Sequence, residues 1–592
     1  MPLNLDPYNG ALGTERAAHL LRRATFGATR AEIDEFANLT AAEAINRLFN
    51  DALLTDATHG VPAPPIDPEI GTDWLDPNID GSENNRQDYF KWWVVGQMFT
   101  PGVPDAFKFT YALREKITLF LHTYFTTKIL TVNSSRALYY QNALFRLYAY
   151  DDFLNSELDF KELTKKVCVD NAMLIFLDGD QNVKGNINEN FARENFELYT
   201  IGRGLESENE TRTPSGPGDY FFFTEEDVRE ASKVLSGWDK DLDFANIDEL
   251  TGLPRGVVKG GALNASQHTE GDKQFTAYFN NQVISPDPLL LNGANQTEAS
   301  ALDEISQLIE MIFAQEETAK HLCRKLYRFF VYYDVTTEVE DNIIQAMADT
   351  FVTSGYRLIP VLKQLFQSQY FYDLQVPGPN EVIDDKFGGI IKSPLDLVVG
   401  TYKNLEINIP DPQADAQNFY DLMSDLTRSM NNMGMDFYEP FEVAGYGAYH
   451  QFPRFNRNWI STHWLTQRYN FIRQLLAADM DGNLTINPLI FVQNNFAASA
   501  GDARQLIIDM APYFFPLAQG LDFDNPGGDL TPARVRYFLQ AFLGFSEYDT
   551  EADMAVTEWT ALYADPNNYL EVTTRLTSLF NALMQSPEYQ LF

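Results

Sequence analysis

The chain is poor in cysteine, in histidine and in positive charge. It has two cysteines, Cys168 and Cys323, in 592 residues. Two thiols exclude a disulfide-rich scaffold and a cysteine-based zinc or iron–sulfur centre. They are read as buried thiols or as one bridge. The seven histidines, His19, His59, His122, His268, His321, His450 and His463, show no metal-ligand spacing to one another. No stretch approaches 18 uninterrupted apolar residues, so no transmembrane helix is expected. GxGxxG, P-loop, GxSxG, HExxH and CxxC signatures are all missing. The opening Met1-Pro-Leu-Asn-Leu-Asp-Pro-Tyr8 lacks a basic segment and an apolar segment, so it does not read as a secretory signal. The expectation is a protein that stays inside, leaves with a partner, or follows a leader.

What is abundant is acidic and aromatic side chains. Lys and Arg number 44 against 83 Asp and Glu, a difference of 39 negative charges. That field argues against nucleic acid or anionic lipid as the main partner, and favours cationic ligands or metal ions. Aromatics at 14% and hydrophobics at 45% exclude a disordered acidic chain. At about 150 residues per domain the length corresponds to roughly four domain-equivalents.

The pattern predicts an all-α protein: a large multi-helix globular array with a small β-hairpin insertion. Thr29-x-x-Glu32, Thr40-x-x-Glu43 and Thr224-x-x-Asp227 are helix-start boxes. Residues 54–88 read as a long Pro/Asp/Asn/Gly loop, and 89–99 and 111–125 as aromatic helices apolar on most sides. A helix is expected over 161–177, another over 188–200 closed by Gly202 and Gly204, and a run of helices from Ala301 onward. Residues 239–297 are rich in Gly, Asn and Asp and read as loops with a hairpin. The division is 1–238, 239–297 and 298–592, read as parts of one continuous domain.

Three segments could carry chemistry. Asn188-Glu-Asn-Phe-Ala-Arg-Glu-Asn-Phe-Glu-Leu-Tyr-Thr200 places Asn190, Glu194 and Glu197 on one helix face. The functional reading is an acid/base pair or metal ligands; the structural one is an Arg193–carboxylate network, with Arg193 buried against Glu194 or Glu197. Asp178, Asp180, Asn182 and Glu189 fall at positions 1, 3, 5 and 12 of an EF-hand-like loop, which points to calcium. Val183 stands where that loop wants Gly and Gly185 where it wants an apolar residue, so a capped turn is the alternative. Asp76-Pro-Asn-Ile-Asp-Gly-Ser82 and Asp479-Met-Asp-Gly-Asn483 are weaker fragments of the same kind. His122 lies on an aromatic helix, and His268-Thr-Glu-Gly-Asp-Lys273 joins a base, acids and an amine in one loop. Each is a polar group in aromatic sequence, so His122, the 188–202 segment and the 268–273 loop are expected to approach one another.

Eight blocks in order carry a resemblance: Ala17-Ala-His-Leu-Leu-Arg-Arg-Ala-Thr-Phe-Gly27; Arg114-Glu-Lys with His122 and Phe125; Asn188 to Gly202; Thr224-Glu-Glu-Asp-Val with Ser236-Gly-Trp238; His268 with Asp272-Lys273; Lys325-Leu-Tyr-Arg-Phe-Phe-Val331; Lys392-Ser-Pro394; and Glu439-Pro-Phe-Glu-Val-Ala-Gly-Tyr446 with Trp459 and Arg468 behind it. They resemble the bacterial family known as the uncharacterised domain numbered eighteen hundred, over almost the whole chain. This sequence departs from the family pattern at Tyr124, where a second histidine is usual, at Tyr446, where Trp is usual, and at Phe441 in place of a proline. The first change weakens any two-histidine metal site; the others keep an aromatic platform.

The resemblance implies a large helical bacterial protein, often encoded beside a sulfatase- and alkaline-phosphatase-like family that is exported. It therefore suggests a protein partner of that class and an extracytoplasmic destination, the cytoplasm being the alternative. Two functions follow. One is a helical interaction protein of the cell envelope or secreted fraction, partner of a sulfatase-like protein. The other is a hydrolase of an extracellular or envelope polymer, with His122, Glu194, Glu197 and His268 in acid/base roles. Asn190, Arg193, Asp227, Trp238 and Lys273 would then bind substrate.

Overall fold

The computed structural model describes residues 3–50, 64–68, 82–149, 157–373, 387–477 and 484–592, together with Gly71, Asp73 and Leu75. The fragment at 76–81 and the fragment at 479–483 lie outside the described residues. Helices account for 57% of the chain and strand for 5%, far below the fifth or so of an average domain. Buried apolar side chains form one cluster that runs from Leu3 to Tyr589.

Local sequence explains where helices start. Thr29 and Glu32 cap Arg30–Ala37 reciprocally, as Thr40 and Glu43 do for Ala41–Leu48 and Thr224 and Asp227 for Glu225–Val234. The aromatic helices fall in the middle: Glu83–Gln97 begins six residues earlier than its composition suggests, and Lys108–Tyr124 is buried along nearly its whole length. A helix buried on all sides must satisfy its own polar groups. In Lys108–Tyr124, Glu115 pairs with Arg146 and Lys116 with Asp396.

Two expected helices are broken. Asp170 accepts from the Met173 amide and starts a new helix, so 161–177 becomes Phe160–Val167 and Asn171–Phe176. The 188–200 segment is an α-turn, Asn190–Glu194, followed by a π-turn, Asn195–Tyr199. The insertion holds two short ladders in place of one hairpin. Trp238–Asp239 pairs antiparallel with Val257–Val258, and Lys273–Gln274 with Val283–Ile284. Each strand is two residues long, and Gly237, Gly256 and Asp272 directly precede three of the four and turn the chain there.

Arg193 differs from the expectation. Its side chain is 27% exposed and bridges Glu189 and Glu225, while Glu197 is taken by Arg203 at 2.6 Å. On a helix Glu189 lies one turn before Arg193, and the start of Glu225–Val234 packs on the same side, so both acids are nearer than Glu194. Arg193→Ala is therefore expected to cost about 1 kcal/mol or less, as partly solvated pairs do. Glu115→Ala, which leaves Arg146 buried without its carboxylate, is expected to cost roughly 3–5 kcal/mol. Urea denaturation of the two variants beside the wild type measures the difference.

Candidate functional site

The residues expected to form one site are placed in four environments. His122 is sealed in the core, its ring stacked on Tyr438 at 3.8 Å between centroids. Among the described residues neither of its nitrogens has a hydrogen-bond partner, and burial pulls its pKa down to about 3, so it is a neutral imidazole. The acidic segment does not supply His122 with a partner, for a geometric reason. Two residues apart on a helix point to opposite sides, and it is Tyr124 that faces 195–199, donating to the Tyr199 carbonyl at 3.0 Å.

His268 and Lys273 are fully buried and meet at Glu304, a residue the sequence reading missed. Lys273 Nζ donates to Glu304 Oε2, and His268 Nε2 lies 3.1 Å from the same oxygen. His268 Nδ1 lies 2.8 Å from the Ser236 carbonyl, which can only accept, so Nδ1 carries a proton. Gln296 closes the set on Glu304 Oε1 at 3.1 Å. Asp227, also buried, caps its own helix and accepts from the Thr276 amide and hydroxyl at 2.8 Å each. Trp238 is fully buried. These three positions pin the insertion to Glu225–Val234 and Glu298–Phe313; none offers a face to solvent.

The EF-hand-like loop is held by cations and amides of the protein. Asp180 pairs with Lys240, Glu189 with Arg193, and Asp178 accepts from Gln181 at 2.8 Å. The Asn182 side chain donates to the Ser232 carbonyl and accepts from the Asn188 amide. The tight turn is made at Gly185, φ 82°, two residues after the position where a calcium loop places it. Asn190 donates to the Leu177 carbonyl. Among the described residues no group of three or more His, Cys, Asp or Glu side chains is arranged to hold a metal.

Glu197 alone of the expected catalytic residues lines an open cleft, of about 540 Å³. Glu194, beside it, is half-buried; burial and then the neighbouring Glu197 raise its pKa. The opposite wall is the helix Glu316–Phe330, which presents His321, Arg324, Lys325 and Arg328 at i, i+3, i+4 and i+7, one face. The π-turn sets the floor. Its Leu198 carbonyl accepts from Lys325 Nζ at 2.7 Å and lies 3.1 Å from His321 Nε2. A π-turn frees such carbonyls and is frequent at functional sites. Gly202, φ 68°, is required here, because a Cβ on it would fall 2.2 Å from His321 Nδ1.

The cations of this wall differ in their partners. Arg324 is clamped by Glu317 and Glu340, and Arg328 is bidentate to Glu206 at 2.8 and 2.6 Å. Lys325 has no ion pair among the described residues; its ammonium sits 4.5 Å above the Tyr124 ring. Removal from water, with Arg328 beside it and Glu206 opposing, brings its pKa down to about 7. His321 is held well below the ordinary histidine range by burial and by Lys325. The cleft therefore joins a near-neutral amine, a neutral imidazole and a carboxylate, groups that can bind anions, move a proton or act as a nucleophile. The basic face was legible in Lys325-Leu-Tyr-Arg328 and in the helical spacing back to His321.

The family model described as Protein of unknown function (DUF1800) matches residues 19–591, nearly the whole chain, and the protein belongs to that family. No curated protein matches the chain, and no solved structure does. No described helix is long and apolar enough to cross a membrane.

An amine that is half deprotonated near pH 7 reacts with acylating reagents at pH values where an exposed lysine, with its pKa near 10, is almost wholly protonated. Limited acetylation across pH 6–9, read by peptide mass spectrometry, should show Lys325 modification rising through pH 7, while the lysine of an unstructured reference peptide in the same reaction rises only at higher pH. Coincident profiles for the two lysines would contradict the assignment.

Proposed function

We propose that the protein is a helical interaction protein of the bacterial cell envelope or secreted fraction, working with a sulfatase-like partner. The observation that carries this reading is an apolar ridge beside the cleft. Phe441 is 95% exposed, Leu130 69% and Val443 43%. The ridge is pre-ordered: the Ile129 amide donates to the Tyr438 carbonyl, the Leu130 amide to Glu439, and Lys128 pairs with Glu439 at 3.4 Å. Glu442 and Gly445 close the loop, and Glu442 reaches His450 at the cleft rim, 3.4 Å away. A fixed, exposed phenylalanine contributes roughly 2–3 kcal/mol when a partner covers it, and such residues mark interfaces. The sealing of His122 and His268 in the core supports the same reading. The class of partner follows from the family resemblance.

The hydrolase reading keeps one observation of its own. Glu194, whose pKa is raised by burial and then by Glu197, lies one helical turn before the Glu197 that lines the cleft, and acid/base cleavage of a glycoside needs a pair of carboxyl groups. In that reading Glu194→Gln and Glu197→Gln each abolish release of reducing ends from an envelope polysaccharide. Calcium at 178–189 is likewise a proposal, and it requires Lys240 to release Asp180. Calorimetry of chelated protein against calcium tests it: binding that tightens in Lys240→Gln supports the site, and no heat in either protein opposes it.

The interaction reading is tested by affinity purification from the native source with mass spectrometry. A sulfatase-like protein is expected with the wild type and at least about tenfold less with Phe441→Asp, since a charge in an apolar hot spot costs more than 1.4 kcal/mol. Recovery of the same partner in equal amount with Phe441→Asp would overturn the assignment of this surface.

A further inference from the structure

Behind the cleft lies a second, smaller chamber, and the two share Arg328 and Tyr449. Among apolar and aromatic side chains its lining holds the donors Lys116, Arg328, Ser393 and Asn456, with one carboxylate, Asp396, that Lys116 and Ser393 engage. Asn456, 6% exposed, accepts the Ile391 amide on Oδ1 at 3.4 Å, which fixes the orientation of its amide. Asn456 lines the chamber, and its Nδ2 has no acceptor among the described residues. Arg328 spends both terminal nitrogens on Glu206, and its Nε has no acceptor among the described residues. Lys116 reaches the chamber from the opposite side, bound to Asp396. On the cleft side, Lys325 meets a backbone carbonyl and a ring face and no carboxylate among the described residues.

A buried donor without an acceptor costs about 1–3 kcal/mol, and a buried ammonium without an anion costs more. Acceptors are not scarce in this chain, which carries 39 more acidic than basic residues. Arg328 Nε and Asn456 Nδ2 are nevertheless unmet among the described residues, and Lys325 meets one carbonyl with three N–H groups; these donors come from two separate segments, Glu316–Phe330 and Phe455–Trp459, and line two adjoining spaces that share Arg328 and Tyr449. The chemistry that satisfies an ammonium, a guanidinium Nε–H and a carboxamide N–H together is an oxyanion, whose several oxygens each accept.

We propose that the cleft and the chamber behind it form a binding site for an oxyanionic ligand, a free or esterified phosphate, sulfate or carboxylate, recognised by Lys325, Arg328 and Asn456. This site is distinct from the Phe441 ridge, so its test does not depend on the partner assignment.

The experiment is calorimetric titration of the full chain with sodium phosphate, sodium sulfate and sodium acetate, each against sodium chloride of equal ionic strength. Saturable binding of at least one oxyanion is expected, and the anion that binds identifies the group. Lys325→Gln and Asn456→Asp should each weaken it by about tenfold or more, while Lys325→Arg, which keeps the charge, should retain it. Circular dichroism and melting temperature show that each variant is folded. Absence of saturable binding beyond chloride, or binding of equal strength in Lys325→Gln and Asn456→Asp, would overturn the proposal.

Discussion

A single carboxylate buried at the start of helix Pro394–Asn404 joins two helices that lie far apart in the sequence. Asp396 pairs with Lys116 at 2.5 Å across 280 residues, and takes the Ser393 hydroxyl as a second donor. Both charges are withdrawn from water, so the pair holds only because each satisfies the other, and loss of either leaves an isolated buried ion. Around it stand more cations than one carboxylate can neutralise. Arg22 is held by the carbonyls of Pro512, Tyr513 and Phe515, Lys392 by that of Tyr589, and Arg468 by that of Lys392. These bonds tie the first helix, the middle of the chain and the last segment together through backbone acceptors. Burial drives the Lys392 pKa well down, and brings those of Arg22 and Arg468 to about 10.

Charge is thus divided by depth. The surface carries the acid excess that composition announces, while part of the interior is basic. A negative exterior repels anions at long range, and screening at physiological salt confines that repulsion to about 8 Å. Inside the cleft the sign of the local field is set by the nearest groups, Lys325 and the arginines. Total charge therefore describes the solubility of this protein better than it describes what the cleft admits.

The helical architecture was legible because it is written locally. Threonine caps with a carboxylate three residues on located helix starts, and the Gly/Asn/Asp-rich stretch located the insertion. Asp170 looked like part of a helix because a cap and an interior residue are the same letter, and its amide bond to Met173 is what divides the element. The π-turn at Asn195–Tyr199 was not legible, since no composition distinguishes it from α. At the site, Glu197 was found and Lys325 was seen as part of a sequence block. Glu304, which organises His268 and Lys273, was invisible: one glutamate on an amphipathic helix reads as solvated until its neighbours are known. Tyr124, a departure from the pattern that the chain resembles, was informative because its ring lies beneath Lys325.

The turn at Asn195–Tyr199 makes chain length itself a structural variable. It winds one more residue into its turn than an α-helix does. Deleting a residue there would restore regular winding and rotate everything after it by about 100° relative to the helix before it. The Leu198 carbonyl would leave both Lys325 and His321, and Gly202 would no longer lie under the imidazole. Side chains on the outer face of this segment can vary with little consequence for the cleft, but its residue count cannot.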